Sequence, residues 1–123
     1  MKVLVNAGPW LPVPPLGYGG IENIVATLVP ELRRLGVEVV MATVGDSTLA
    51  VDEKIQAFPH GQFKLLQRPY NQVCGVVPAH QLAVTRRLAE GDIDLLHDHV
   101  EAAGLMTAAA LRRRTEAAWG PPI

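Results

Sequence analysis

Apolar positions follow two periods along this chain. Residues 2–7, Lys2-Val3-Leu4-Val5-Asn6-Ala7, form a short run rich in β-branched side chains and broken by Gly8-Pro9. Such a run predicts a strand covered on both faces. Further on, Ile21, Ile24, Val25, Leu28, Leu32 and Leu35 recur at three- and four-residue steps. That is one apolar stripe of an α-helix, with Glu22, Asn23, Glu31, Arg33 and Arg34 mostly off it. Arg33 and Arg34 favour the negative end of the helix dipole, and Gly36 supplies a C-terminal stop. Pro30 conflicts with this pattern, because proline inside a helix removes a hydrogen bond and costs ~3 kcal/mol; a kink is expected there. Residues 37–43 then read as a second strand, turned away by Gly45-Asp46-Ser47.

Strand, helix and strand within about forty residues form a βαβ unit, which implies a parallel pair with a right-handed crossover. Residues 48–77 are dominated by turn formers, with 54–58 the candidate third strand. Helical spacing returns over 78–90, where Leu82, Thr85, Leu88 and Ala89 align and Pro78 suits a first turn. Residues 93–99 read as a buried strand whose carboxyl end becomes polar, and 102–114 as an alanine-rich helix. The fold class expected is α/β, a Rossmann-like, mainly parallel sheet flanked by helices, in a single domain over 1–123.

Composition narrows the function classes. Hydrophobic residues make up 49% and charged residues 19% of the 123 positions, enough to build a core and too apolar for disorder. Eleven basic against twelve acidic side chains give no whole-chain attraction to nucleic acid or to an anionic membrane. No stretch approaches the ~20 apolar residues of a membrane span. One cysteine, Cys74, excludes an internal disulfide framework and suits a reducing compartment. The amino terminus lacks the longer apolar region of a secretory signal, so a cytoplasmic protein is expected.

Two features carry candidate chemistry. The first is Gly17-Tyr18-Gly19-Gly20, which closes a proline-rich loop over 8–20 and opens the first helix. Free amides at a helix start, with the positive end of its dipole, can receive a phosphate, and glycines let the backbone approach it. The pattern is not the dinucleotide fingerprint, since Glu22 occupies the third glycine position, and no Gly-Lys-Ser/Thr follows to make a P-loop. A turn that merely relieves a crowded strand-to-helix connection is the competing reading.

The second feature is His97-Asp98-His99. In a strand, His97 and His99 share one face and Asp98 takes the other. Strand carboxyl ends are where open α/β sheets hold ligands. With Glu101, the two histidines could begin a metal site; a histidine could instead act on a hydroxyl or bind a sugar; or the pair could be structural. Binuclear hydrolases with a His-x-His-x-Asp-His pattern would need Asp and His where this chain has Glu101 and Ala102. His60 and His80 read as surface or capping residues, Cys74 as a half-buried bystander, and Arg112-Arg113-Arg114 as a solvated helix end.

Taken together, Pro14-Pro15 with Gly19-Gly20-Ile21-Glu22, the helix end Leu32-Arg33-Arg34-Leu35-Gly36-Val37-Glu38-Val39, and Ile93-Asp94-Leu95-Leu96-His97-Asp98-His99 resemble the N-terminal domain of the retaining glycosyltransferases of family four, which have the GT-B fold. Val37 stands where members often carry histidine. The resemblance implies sugar transfer from a nucleotide-sugar donor to an acceptor with retained configuration. Gly19 and Gly20 would lie against the donor diphosphate, His99 would be the catalytic residue beside the transferred sugar or the acceptor, His97 would support it, and Glu22 and Asn23 would flank the acceptor cleft. No metal and no cofactor other than the donor substrate is implied. The second, nucleotide-gripping domain of that family is not among these residues. The chain therefore reads as an incomplete acceptor-side domain, inactive alone, with an exposed sheet edge that invites self-association. Two rival readings remain: a non-enzymatic α/β domain binding a phosphorylated ligand, and a metal-dependent hydrolase built on His97 and His99.

Overall fold

The computed structural model describes residues 1–100 together with Thr107, Ala109 and Leu111. The amino-terminal apolar run forms β1 (Lys2–Asn6), followed by α1 (Gly20–Arg34), β2 (Glu38–Thr43) and β3 (Glu53–Gln56). A 3-10 helix (Phe63–Gln67) and a short α2 (Tyr70–Val73) lead into α3 (Val76–Leu88) and β4 (Leu95–Asp98). The four strands are all parallel, in the order β3-β2-β1-β4. The Rossmann-like α/β architecture expected from the sequence is the one observed.

The alternation of side chains across β1 sorts the core into two layers. Val3, Val5 and Ala7 pack with Val39, Met41, Val25 and Val29 on the α1 side. Leu4 packs with Val40, Ala42 and Val84 on the α3 side, where Ile55, Leu88, Ile93 and Leu96 close over it. Helices thus cover both faces of the sheet, which is why Val3, Leu4 and Val5 of β1 can be apolar in succession. Near the amino end of the sheet, Arg87 from α3 donates to Glu53 of β3 at 2.7 Å and to Asp92 at 2.5 Å, tying three elements together before β4 begins.

Several expectations change. α1 continues without interruption through Pro30, which lies on the solvent side, where water can take the carbonyl that proline leaves unpaired. The inward face of α1 is Glu22, Val25 and Val29, not the stripe that included Ile21, Ile24 and Leu35, which are exposed. Compact valines one turn apart meet the sheet, and Ile21 is left at the rim of a cleft. β4 is not a buried strand: among the described residues it is an edge, with Leu95 about half exposed. The third strand is shorter than 54–58, and α3 begins two residues before Pro78. The expected helix over 102–114 falls mostly outside the described residues, although Thr107, Ala109 and Leu111 are helical. Glu101, Arg112-Arg113-Arg114 and residues 120–123 lie outside them. No helix among the described residues is long and apolar enough to cross a membrane.

The proline-rich loop is held at several points. Val13 is fully buried; its amide donates to Ser47 Oγ at 2.9 Å, and its carbonyl accepts from the Thr48 and Leu49 amides. Gln62 and Phe63 donate to the carbonyls of Pro9 and Trp10 at 2.9 and 3.0 Å. Gly61 makes that second strap possible, because a Cβ there would stand 2.6 Å from the Trp10 carbonyl oxygen. Gly61→Ala should therefore cost about 1–3 kcal/mol in a denaturant melt, as forced overpacking does; an unchanged midpoint would show that the close approach is not real.

Candidate active site

The strand order reverses at β1, whose neighbours are β2 and β4. Ligands of open α/β sheets bind at the carboxyl ends of strands flanking such a switch point. Here the chain leaves β1 through Gly8, whose φ of +83° favours glycine, and leaves β4 through His99 and Val100. A cleft of ≈ 280 Å³ opens between these turns and the first turn of α1, lined among others by Gly8, Trp10, Ile21, Glu22, His99 and Val100.

Register explains the histidines. Val5 pairs with His97 and Asn6 with Asp98, so His97 takes the α1 side of the sheet and Asp98 the α3 side. One residue beyond β4, His99 lies beside His97, the ring centroids 4.7 Å apart at 63°. Burial holds the His99 imidazole below its usual range, the neighbouring His97 adds to this, and Asp98 opposes it. His99 is therefore neutral near pH 7. Its Nε2 is buried and has no hydrogen-bond partner among the described residues. A neutral imidazole can donate a hydrogen bond from one nitrogen and accept at the other, and the His99 ring lines the cleft.

The opposite wall is the amino end of α1. Gly19 caps the helix without any side-chain hydrogen bond, and its carbonyl accepts from the Asn23 amide at 2.9 Å. A Cβ at Gly19 would stand 2.8 Å from Pro15, whereas one at Gly20 would meet nothing within 4 Å. The backbone at Gly20 is thus open to a ligand, and that at Gly19 is packed. Glu22 is only 5% exposed, and burial raises its carboxyl above the ordinary value against the opposing pull of its own main-chain amide. Asn23, the next residue, is exposed.

The raised Glu22 pKa has a definite sign in stability. Because the folded protein holds this proton more tightly than the unfolded chain, folding is favoured below the ordinary 4.5 and that advantage is lost as pH rises through the folded value. Glu22→Gln should therefore melt higher than the wild type at pH 7, with the gap closing towards pH 4. A gap that widens on acidification would show that the buried carboxylate is stabilising.

Of the residues singled out from the sequence, Glu22 and His99 meet in one cleft and His97 packs against His99, whereas Gly19, Gly20 and Asn23 are not among the residues that line it. Among the described residues no group of three or more His, Cys, Asp or Glu side chains is arranged to hold a metal ion. His60 is an exposed surface residue paired with Asp46 at 2.9 Å. Cys74 is exposed, not half-buried. His80 is not a surface or capping residue: it is 1% exposed, with Nε2 2.6 Å from Asn6 Oδ1, and burial pushes its pKa down to about 4. Asn6 itself was missed. Its signal was a lone amide at the end of an otherwise apolar strand, and that of His80 was its spacing with Val76, Gln81 and Val84 on one face of α3.

Residues 18–123 match the family model described as Glycosyltransferase Family 4. The chain is also similar to the crystal structure of AviGT4, a glycosyltransferase involved in avilamycin A biosynthesis, at 26% sequence identity and a TM-score of 0.49. That similarity covers 84% of this chain and 26% of AviGT4, so the chain spans about a quarter of that protein's length. No curated protein matches the chain.

Proposed function

The chain belongs to glycosyltransferase family 4, and from that premise we propose that it supplies the acceptor side of a GT-B enzyme in the cytoplasm. The enzyme transfers a sugar from a nucleotide-sugar donor to an acceptor with retained configuration, and a second domain supplies most of the nucleotide grip. The observation that carries this reading is the meeting of a bare helix amino end and a neutral, unpartnered imidazole across one cleft.

In this reading the exposed backbone at Gly20 faces the donor diphosphate, with Gly19 packed on Pro15 behind it, and the diphosphate gains negative charge as its bond to the sugar breaks. Fixed N–H dipoles aimed at developing charge lower the barrier because they need no reorganisation. The His99 ring lies beside the transferred sugar, and His97 packs against that ring. Glu22 and Asn23 flank the acceptor.

Titration of the ¹⁵N-labelled chain with UDP and with GDP tests the assignment. The amides of Gly19, Gly20 and Ile21 and the ring of His99 should shift together while the far end of the sheet stays still. Shifts confined to another surface would overturn it. The chain alone should release no sugar from nucleotide-sugar donors, and turnover by it would refute the need for a second domain.

A further inference from the structure

Asn6 is fully buried at the carboxyl end of β1 and lines no part of the cleft, yet every polar atom of its side chain is engaged. Its Oδ1 accepts from the Gly8 amide at 3.2 Å and from His80 Nε2 at 2.6 Å. Its Nδ2 donates to Asp98 Oδ1 at 2.9 Å and to Gln81 Oε1 at 3.2 Å. The Gly8 amide can only donate, so the side-chain oxygen faces it, and His80 must carry its proton on Nε2. The amide of Asn6 therefore has one orientation available.

That orientation reaches both turns on the sheet side of the cleft, the one after β1 and the one after β4. Through Oδ1 it holds the turn at Gly8. Through Nδ2 it holds Asp98, whose same Oδ1 accepts from the Val100 amide at 3.2 Å and so closes a turn across His99. The Asn6 carbonyl also accepts the His99 amide at 3.2 Å. We propose that Asn6, acting through Asp98, is the positioning residue that presents the His99 ring to the cleft. Its importance to sugar transfer rests on the function proposed above; the positioning itself does not.

Asp98 is exposed on an edge strand, so replacing it spares the core. Asp98→Asn keeps an oxygen for Asn6 and Val100 but loses the charge; Asp98→Ala loses both. If Asp98 acted only by its charge, which raises the His99 pKa, both variants would lower that pKa. If it is the tether, the freed ring of Asp98→Ala gains solvent and its pKa climbs towards the ordinary 6.5, while Asp98→Asn stays at or below the wild type. NMR titration of the His99 ring in the 123-residue chain, with a thermal melt to confirm folding, reads these opposite signs. Shifts of the same downward sign in both variants overturn the proposal. Asn6→Ala should repeat the Asp98→Ala shift; where it unfolds the chain, the Asp98 pair decides. UDP titration of Asp98→Ala separates the two ideas: a moved His99 with unchanged UDP shifts leaves the positioning intact and removes His99 from the proposed donor site.

Discussion

Leu4→Ala should remove about 2–5 kcal/mol of unfolding free energy, a large part of what a domain of this size possesses. Leu4 is 0% exposed on the central pair of strands and packs against Val40, Ala42 and Val84, with Leu88 and Leu96 at its margin. Truncation would leave a cavity under α3 that the backbone of a four-stranded parallel sheet cannot collapse to fill. Urea melts should show a lower midpoint with little change in slope. A loss below about 1 kcal/mol would mean that α3 is not firmly seated on this face.

If His99 acts as proposed, His99→Ala in an enzyme that includes the nucleotide-binding domain should lower the turnover number by about 10²–10³-fold with a smaller change in donor KM, as removal of a contact made mainly in the transition state does. His99→Gln should recover part of the loss by restoring a hydrogen-bonding group. The wild-type rate should fall as pH drops below the depressed His99 pKa, because the neutral ring is the competent form. Equal rates in wild type and His99→Ala would remove the residue from the reaction. A rate that rises on acidification would show instead that the imidazolium is required.

Much of this was legible from local pattern. The β1 run, the helix behind Gly19-Gly20, the second strand and the His97-Asp98-His99 alternation all follow from period and stop signals, and the structure reproduces them with small shifts of boundary. The sharing of one face by His97 and His99 needed only the pleat of a strand. What failed was the choice among apolar positions on a helix. Ile21, Ile24 and Val25 are equally apolar in sequence, but only Val25 meets the sheet, because the docking angle of α1 is set by the surface beneath it. Glu22 illustrates the same limit: as a charged residue it was placed off the apolar stripe, and it is buried beside Val25 instead. The polar group under the cleft was hidden for another reason. Asn6, His80 and Asp98 lie far apart along the chain, and single polar residues in apolar surroundings do not name their partners.

The amino-acid order alone determined a parallel α/β architecture, the family and the two candidate segments, since each depends on side-chain period or on short runs of glycine and histidine. Only the folded chain decided that Glu22 and His99 share one cleft, that α1 buries Glu22 and that an asparagine amide ties the turns after β1 and β4 together. The reason is that strand order and helix docking arise from partners scattered along the chain, from Val40 beside Glu53 to Asn6 beside Asp98, and no local period names such partners.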